Sequence, residues 1–333
     1  MPGNRLQYRP LRSSAVTSGM SSKLRVGVVG VGYLGKFHAR IYASLPDVEL
    51  VGVVDADSAT AARIATEYQC TAYAKPEELL GKVDAVSIVV PTIFHLAVAR
   101  PFLESGVHML MEKPIAPTYE EGLQLVELAE RAGVTFQVGH LERYNAGFME
   151  LVKRVGKPRF IEATRIGGFS ERATDVDVVT DLMIHDIDIV MSLVKSPIRD
   201  LRAIGVPVLT EHADIANARL EFESGAVADV TASRISAKKQ RRIRVFGVNS
   251  YHALDFADQQ VEEVIAHPNP AGGRPDIKSE KLSITPTAPL DAELADFVNT
   301  VRARRAPLID GRTGLEALRV ALMVKERIAA CQP

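Results

Sequence analysis

Two domains are predicted: an α/β domain on a parallel sheet, then an α+β domain with an open, mostly antiparallel sheet. Three observations point there. From Lys23 to about Gly139, short β-branched runs that are apolar throughout alternate with helically spaced segments, the pattern of a parallel sheet covered on both faces. Beyond about Gly156, strand-like segments follow one another and alternate apolar with polar residues, as in an antiparallel sheet. The chain has 333 residues, a length that suits two domains. The expected division is a disordered tail over 1–22, a first domain over 23–140 and a second over 141–333.

Leu24–Val29 is the first strand, followed by a glycine-rich turn and a helix over Phe37–Leu45. Leu50–Val54 is the second strand and ends at Asp55. A helix over Ala59–Tyr68 follows, with Asp57 or Ser58 as its cap. Ala85–Val90 is a strand stopped by Pro91, His95–Ser105 is helical, and the strand Val107–Met111 runs into Glu112-Lys113-Pro114. Tyr119–Ala132 is a helix closed by Gly133, and Val134–Val138 is a further strand.

In the second domain, strands are predicted over Phe160–Ile166, Asp200–Val208, Ile215–Glu223, Ala226–Ser233, Arg241–Phe246 and Tyr251–Phe256. One helix, about Val179–Val194, interrupts them. Pro268–Ser279, rich in Pro and Gly, reads as a surface loop. Ala292–Ala303 and Thr313–Ala329 read as helices that pack back on the first domain.

Composition narrows the function classes. The formal net charge is −1, so nothing global draws the chain to nucleic acid or an anionic membrane. No apolar run approaches the roughly 18–20 residues that span a bilayer. The two cysteines, Cys70 and Cys331, sit far apart in no motif, which fits a reducing compartment such as the cytoplasm. The first 22 residues carry Arg5, Arg9 and Arg12, several serines and no acid. They read as a transit segment, a disordered tail, or the product of a start upstream of Met20.

Gly30-Val31-Gly32-Tyr33-Leu34-Gly35 follows a strand and precedes a helix, the context in which this glycine spacing marks a Rossmann dinucleotide site. Gly30 allows the tight turn, Gly32 lets the backbone approach a pyrophosphate, and Gly35 lets the helix pack on the strand. Asp55 lies 20 residues past Gly35, where an acid accepts from the adenosine ribose. A carboxylate there repels a 2′-phosphate, and Ala56, Asp57 and Ser58 supply no arginine to receive one. NAD is therefore the expected cofactor. Tyr33 and Leu34 complete the turn. Glu112 and Lys113 at one strand end, and Pro91, Thr92 and His95 at another, extend the cofactor site. His95 borders the nicotinamide or only caps its helix.

Lys113 sits at the C-terminal end of a strand, where ligands bind in open α/β sheets, with Pro114 fixing its direction. The alternative is a surface lysine beside a turn proline. Asp181 and His185 are four apart and share a helix face. A carboxylate beside an imidazole suits a histidine taking a proton from an alcohol; the plainer reading is a cap and a core histidine. Asp186 and Asp188 beside His185 invite a metal, but their helix positions do not converge, and no metal is expected. His38, His140, His212, His252 and His267 show no comparable partner and are left structural or exposed.

These sites together resemble the glucose-fructose oxidoreductase and inositol dehydrogenase (Gfo/Idh/MocA) family. That family combines a Gly-x-Gly-x-x-Gly start, a Glu-Lys-Pro motif after a later strand and an Asp-x-x-x-His pair in its second domain. Asp296-Phe297, Pro307-Leu308-Ile309-Asp310-Gly311-Arg312 and Gly314-Leu315-Glu316-Ala317 match its C-terminal pattern. The resemblance covers about Lys23 to Pro333. It implies that Lys113 contacts the reacting hydroxyl, that His185 is the general base with Asp181 as partner, and that Pro114 follows a cis peptide. It also implies a homodimer or homotetramer through the free face of the second sheet.

Gln137–Asn145, Thr174-Asp175-Val176-Asp177 and Asp181–Asp188 further resemble bacterial UDP-N-acetylglucosamine 3-dehydrogenases. Those enzymes oxidise the sugar's 3-hydroxyl ahead of an amination for lipid A. Arg143, Asn145 and Arg165 are the candidates for holding the sugar or its diphosphate, arginine because its planar fork takes two oxygens. The competing readings are a dehydrogenase of a free sugar, inositol or dihydrodiol, and a nicotinamide-binding sensor without turnover.

Overall fold

The computed structural model describes residues 23–169, 176–270 and 272–330. The expectations placed on residues 1–22, Thr174, Asp175 and Cys331 lie outside the described residues. The first sheet holds β1 (Leu24–Val29), β2 (Val48–Val54), β3 (Thr71–Tyr73), β4 (Ala85–Ile88), β5 (His108–Glu112) and β6 (Phe136–Gly139). All its pairings are parallel, in the order β3-β2-β1-β4-β5-β6. Helices α1 (Gly35–Ser44), α2 (Ser58–Glu67), α3 (His95–Glu104) and α4 (Tyr119–Ala132) connect the strands. The central strands are largely apolar because both faces are covered: Val28, Val86, Met111 and Val138 have no exposed surface. Strand order reverses between β1 and β4, so a crevice opens at their C-terminal ends. Gly30, Asp55, Pro91, Lys113 and His140 all follow strand ends on that side.

The second sheet begins after α5 (Ala146–Arg154). It contains β7 (Phe160–Ile166), then, beyond α6 (Ile184–Val194), β8 (Ile198–Val206), β9 (Ile215–Phe222), β10 (Val227–Ser233), β11 (Gln240–Gly247), β12 (Ser250–Asp255), β13 (Gln260–His267) and β14 (Asp276–Lys281). The order is β14-β13-β12-β11-β7-β10-β9-β8. Only β7 and β10 run parallel; the other neighbours are antiparallel. In β9, Ala216, Ala218, Leu220 and Phe222 point into the core under α6. Asn217, Arg219 and Glu221 point outward, and Arg219 pairs across the strands with Asp229. That alternation is what a one-sided sheet requires.

Two C-terminal helices join the halves. In α7 (Pro289–Ala303), Leu294, Phe297, Val298 and Val301 enter the same core as Ile41 and Tyr42 of α1. α8 (Gly311–Ala330) gives Leu315 and Leu318 to the core of the first sheet, and Val320, Ala321 and Val324 to that of the second. Its first turn lies on β6. Val138 N–H donates to Ile309 O at 3.0 Å, and a Cβ on Gly314 would stand 2.6 Å from Val138 Cγ2.

Neither β3 nor β13 was expected as a strand, and the structure departs from expectation in three further places. Pro268–Ser279 is not loop throughout: β14 begins at Asp276. All six residues of β14 are exposed, so only pairing with β13 marks it as a strand. α5 was not expected, although it carries local signals: the Asn145 side chain accepts from the N–H groups of Gly147 and Phe148, Phe148 and Leu151 share its buried face, and Lys153 and Arg154 close its last turn. The helix expected over Val179–Val194 is divided. Val179–Met183 forms a π turn, and α6 proper starts at Ile184. Such turns are rare and concentrate at functional sites.

Candidate active site

The glycine turn after β1 has the shape a dinucleotide needs. Gly30 has φ +86°, and a Cβ there would stand 2.5 Å from Val89 O; only glycine fits. A Cβ on Gly35 would collide with Gly30 O. Gly32 is different, since a Cβ there would meet nothing within 4 Å, so its open side is the approach for a ligand. Tyr33 and Leu34 are 58% and 41% exposed at the same turn. No side chain caps α1, which leaves the positive end of the helix to an anion.

Asp55 closes this site. Its Oδ2 accepts from Val31 N–H at 2.7 Å and its Oδ1 from Asp57 N–H at 3.0 Å. A carboxylate has about four acceptor positions, so capacity remains for ribose hydroxyls. Asp57, rather than Ser58, caps α2, accepting from Ala59 N–H and the Thr60 hydroxyl. The residues present fit the adenosine diphosphate half of NAD.

Lys113 joins the two halves. It precedes Pro114 through a cis peptide, and its Nζ donates to Asp181 O at 2.8 Å and lies 3.6 Å from Asp181 Oδ1. A cleft of about 560 Å³ opens beside this contact, lined by Thr92, Lys113, Pro114, Thr180, Asp181 and His212 among others. The expected Asp181–His185 pair is therefore replaced by an Asp181–Lys113 pair. The physical reason is charge. His185 is held neutral, its pKa pushed well below the usual value by burial and by Lys113, Arg165, His140 and Arg241. An ammonium is the stronger partner for a carboxylate. His185 Nδ1 is enclosed without a partner, and the His140 ring stands edge-on to it, 6.4 Å between centroids.

Several sequence candidates lie behind the site rather than in it. Glu112 is buried; its Oε1 lies 3.2 Å from His38 Nε2 and its Oε2 accepts from Lys113 N–H. His95 is buried, with one ring nitrogen 3.0 Å from Val90 O and the other 3.1 Å from Ile115 O; a neutral ring donates to one of these carbonyls. It ties the end of β4 to the turn after Pro114, with no ring nitrogen left for a ligand. Arg165 is 3% exposed and spends its fork on Asp186 and Glu142. Arg143 is bidentate to Asp188. Asn145 caps α5 and donates to Phe256 O. These three are consumed inside the protein, because a buried charge or amide without a partner is costly.

The same ion pairs occupy Asp186 and Asp188, and no metal-binding group of His, Cys, Asp or Glu occurs among the described residues. Of the histidines left aside, His38 has Glu112, His252 has Glu263 at 2.9 Å, and His140 faces His185. The partners of His38 and His140 come from distant parts of the chain, so spacing carried no sign of them; Glu263 faces His252 across the β12–β13 hairpin.

Comparison with known proteins agrees with this geometry. Residues 24–140 match the family profile described as "Oxidoreductase family, NAD-binding Rossmann fold", and residues 153–250 match the GFO/IDH/MocA C-terminal domain. A UDP-N-acetylglucosamine 3-dehydrogenase of Acidithiobacillus ferrooxidans is 37% identical over 308 residues, 92% of this chain and 98% of that protein. Its solved structure superposes with a TM-score of 0.87 over the same shares. A scyllo-inositol 2-dehydrogenase of Bacillus subtilis is 31% identical over 65% of this chain and 69% of its own length. The chain belongs to the Gfo/Idh/MocA family of NAD-dependent oxidoreductases.

Proposed function

We propose that this enzyme oxidises the 3-hydroxyl of UDP-N-acetylglucosamine, with Lys113, Asp181 and His185 as its working residues. The observation that carries the reading is the meeting of Lys113, at the end of β5, with Asp181, four residues before His185, over one cleft. A relative 37% identical over nearly its whole length supports the nucleotide sugar; an inositol dehydrogenase matched over 92% of this chain is only 24% identical, and one 31% identical is matched over 65% of it. Bound NAD supplies the hydride acceptor. The neutral His185 takes the hydroxyl proton on Nε2, the ring nitrogen opposite the enclosed Nδ1. Lys113 Nζ stabilises the oxygen as negative charge develops on it. Asp181, through its carbonyl and carboxylate, fixes where that ammonium stands.

The product is a 3-keto nucleotide sugar, a substrate for an aminotransferase in the cytoplasm on the way to lipid A. A second copy pairs on the outer face of the second sheet. No helix among the described residues is long and apolar enough to cross a membrane. The test uses UDP-N-acetylglucosamine deuterated at C3, with a ketone trap or an aminotransferase present, and myo-inositol as comparison. Deuterium in the NADH supports the assignment. Unlabelled NADH moves the oxidation to another carbon, and turnover of myo-inositol alone replaces the nucleotide sugar with a free polyol.

A further inference from the structure

Three neighbouring strands of the second sheet carry arginine at the same end and on the same face. Along β7 the core-facing positions are Ile161, Ala163 and then Arg165; along β11, read backward, Val245, Ile243 and then Arg241. Along β10, Ala228, Val230 and Ala232 lead to Arg234. Arg165 and Arg241 stand directly opposite each other in the antiparallel register. These ends, with Gly167, Gly168, Ser233, Lys239, Asp181 and Leu182, enclose a cavity of about 160 Å³.

The cations are not equally satisfied. Arg165 has Asp186 and Glu142. Arg234 has Asp214 and the carbonyl of Val176. Asp181 is taken by Lys113. Lys239 and Arg241 have no carboxylate within ion-pair distance among the described residues, although both line the cavity and Arg241 is close enough to act on His185 and Asp186. Like charges directly opposite on neighbouring strands are destabilising. Arg165 is already neutralised by its two carboxylates, so Arg241 and Lys239 are the cations at this cavity without an ion-pair partner of their own among the described residues, and an anion between them would supply one.

We propose that this cavity receives the diphosphate of the nucleotide-sugar substrate, with Arg241 and Lys239 as its binding cations; the proposal rests on the nucleotide-sugar reading above. Asp181 lines both this cavity and the cleft at Lys113. A sugar whose hydroxyl lies at Lys113 and His185 therefore has its anomeric substituent next to the cavity. The Arg241 fork binds two phosphoryl oxygens at once, and Lys239 adds a point charge on a flexible stem. The backbone of Gly167 and Gly168, without side chains, lets the anion approach β7 closely. Arg143 does not line this cavity, and Arg165, which does, is already bound to Asp186 and Glu142.

The experiment measures binding of UDP, uridine and inorganic pyrophosphate to the NAD-loaded enzyme by calorimetry, in wild type, Lys239→Gln, Arg241→Gln and the double variant. Both residues are exposed, and NAD affinity reports that each variant is folded. UDP affinity is expected to fall about 10–100-fold per residue, the usual loss for a hydrogen bond to a charged group. Uridine affinity stays unchanged, pyrophosphate competes with UDP, and the loss appears in KM for the nucleotide sugar rather than in kcat. A double variant that binds UDP as wild type does overturns the site and leaves the nucleotide-sugar reading standing. An equal loss for uridine also overturns it. A wild type that binds neither UDP nor UDP-N-acetylglucosamine overturns both.

Discussion

Lys113 and Asp181 reach the cleft from different halves of the molecule, and substitution of Lys113 and His185 separates their work from cofactor binding. Lys113→Met and His185→Asn are each expected to lower kcat by roughly 10²–10⁴-fold, the range for a positioned proton-transfer group. NAD affinity, measured by fluorescence titration, should stay close to wild type, because Gly32 and Asp55 lie elsewhere. Asp181→Asn keeps the carbonyl that receives Lys113 and loses only the carboxylate, so its effect should be smaller. If His185→Asn turned over at the wild-type rate at every pH, the histidine would be a core residue and the base assignment wrong. At this scale the sequence was readable where geometry is local. Gly30, Gly35 and Asp55 sit within one strand–turn–helix unit, and their roles follow from backbone shape. It was unreadable where partners are chosen in three dimensions. Nothing in the spacing of Arg165 says that Asp186 and Glu142 close on it, or that Asp181 turns to Lys113.

Elements follow the same division. α4 was legible to the residue because it carries its own signals, Thr118 at the N-cap and Gly133 at φ +65° beyond the last turn. β14 was not, because its six residues are exposed and its strand character comes from β13. The first turn of α8 shows how an element is placed by absence of side chain. Gly311 and Gly314 lie against Phe136 and Val138 of β6, so that α8 can bridge two cores. Gly314→Ala puts a methyl 2.6–2.9 Å from three carbons of Val138, and β6 is held by β5 and by Ile309 and cannot yield. Overpacking of this kind costs about 1–3 kcal/mol, more than the helix propensity that alanine gains. Denaturant melts should show a lower midpoint with an unchanged m-value. A higher midpoint would mean that the helix-to-strand contact is looser than these distances require.

The molecule as a whole buries titratable groups of opposite tendency, and stability against pH reads their balance. His95, His140 and His185 all have pKa values below the ordinary histidine value, each mainly through burial. The folded protein therefore binds fewer protons than the unfolded chain as pH falls through about 6.5, and stability falls with it. Each proton taken up on unfolding steepens that slope by about 1.4 kcal/mol per pH unit. Glu293 of α7 works the other way. It is fully buried, neither carboxylate oxygen has a partner, and burial, with Glu112 and Asp296 nearby, raises its pKa well above the usual carboxylate range. The folded state keeps a proton that the unfolded chain releases above about pH 4.5, so Glu293 removes stability as pH rises. Glu293→Gln substitutes a neutral group of the same shape. Its advantage over wild type should be absent near pH 4 and grow toward pH 8, where a gain of about 2 °C or more in Tm is expected. Because the variant loses the opposing term, its Tm should also drop more steeply than wild type between pH 7 and pH 5.5. Thermal melts at constant ionic strength, without cofactor, measure both. Parallel Tm curves for the two proteins would show that Glu293 is ionised in the folded state, with a counter-charge that α7 and its neighbours Glu112, Tyr42, Tyr144 and Asp296 do not supply.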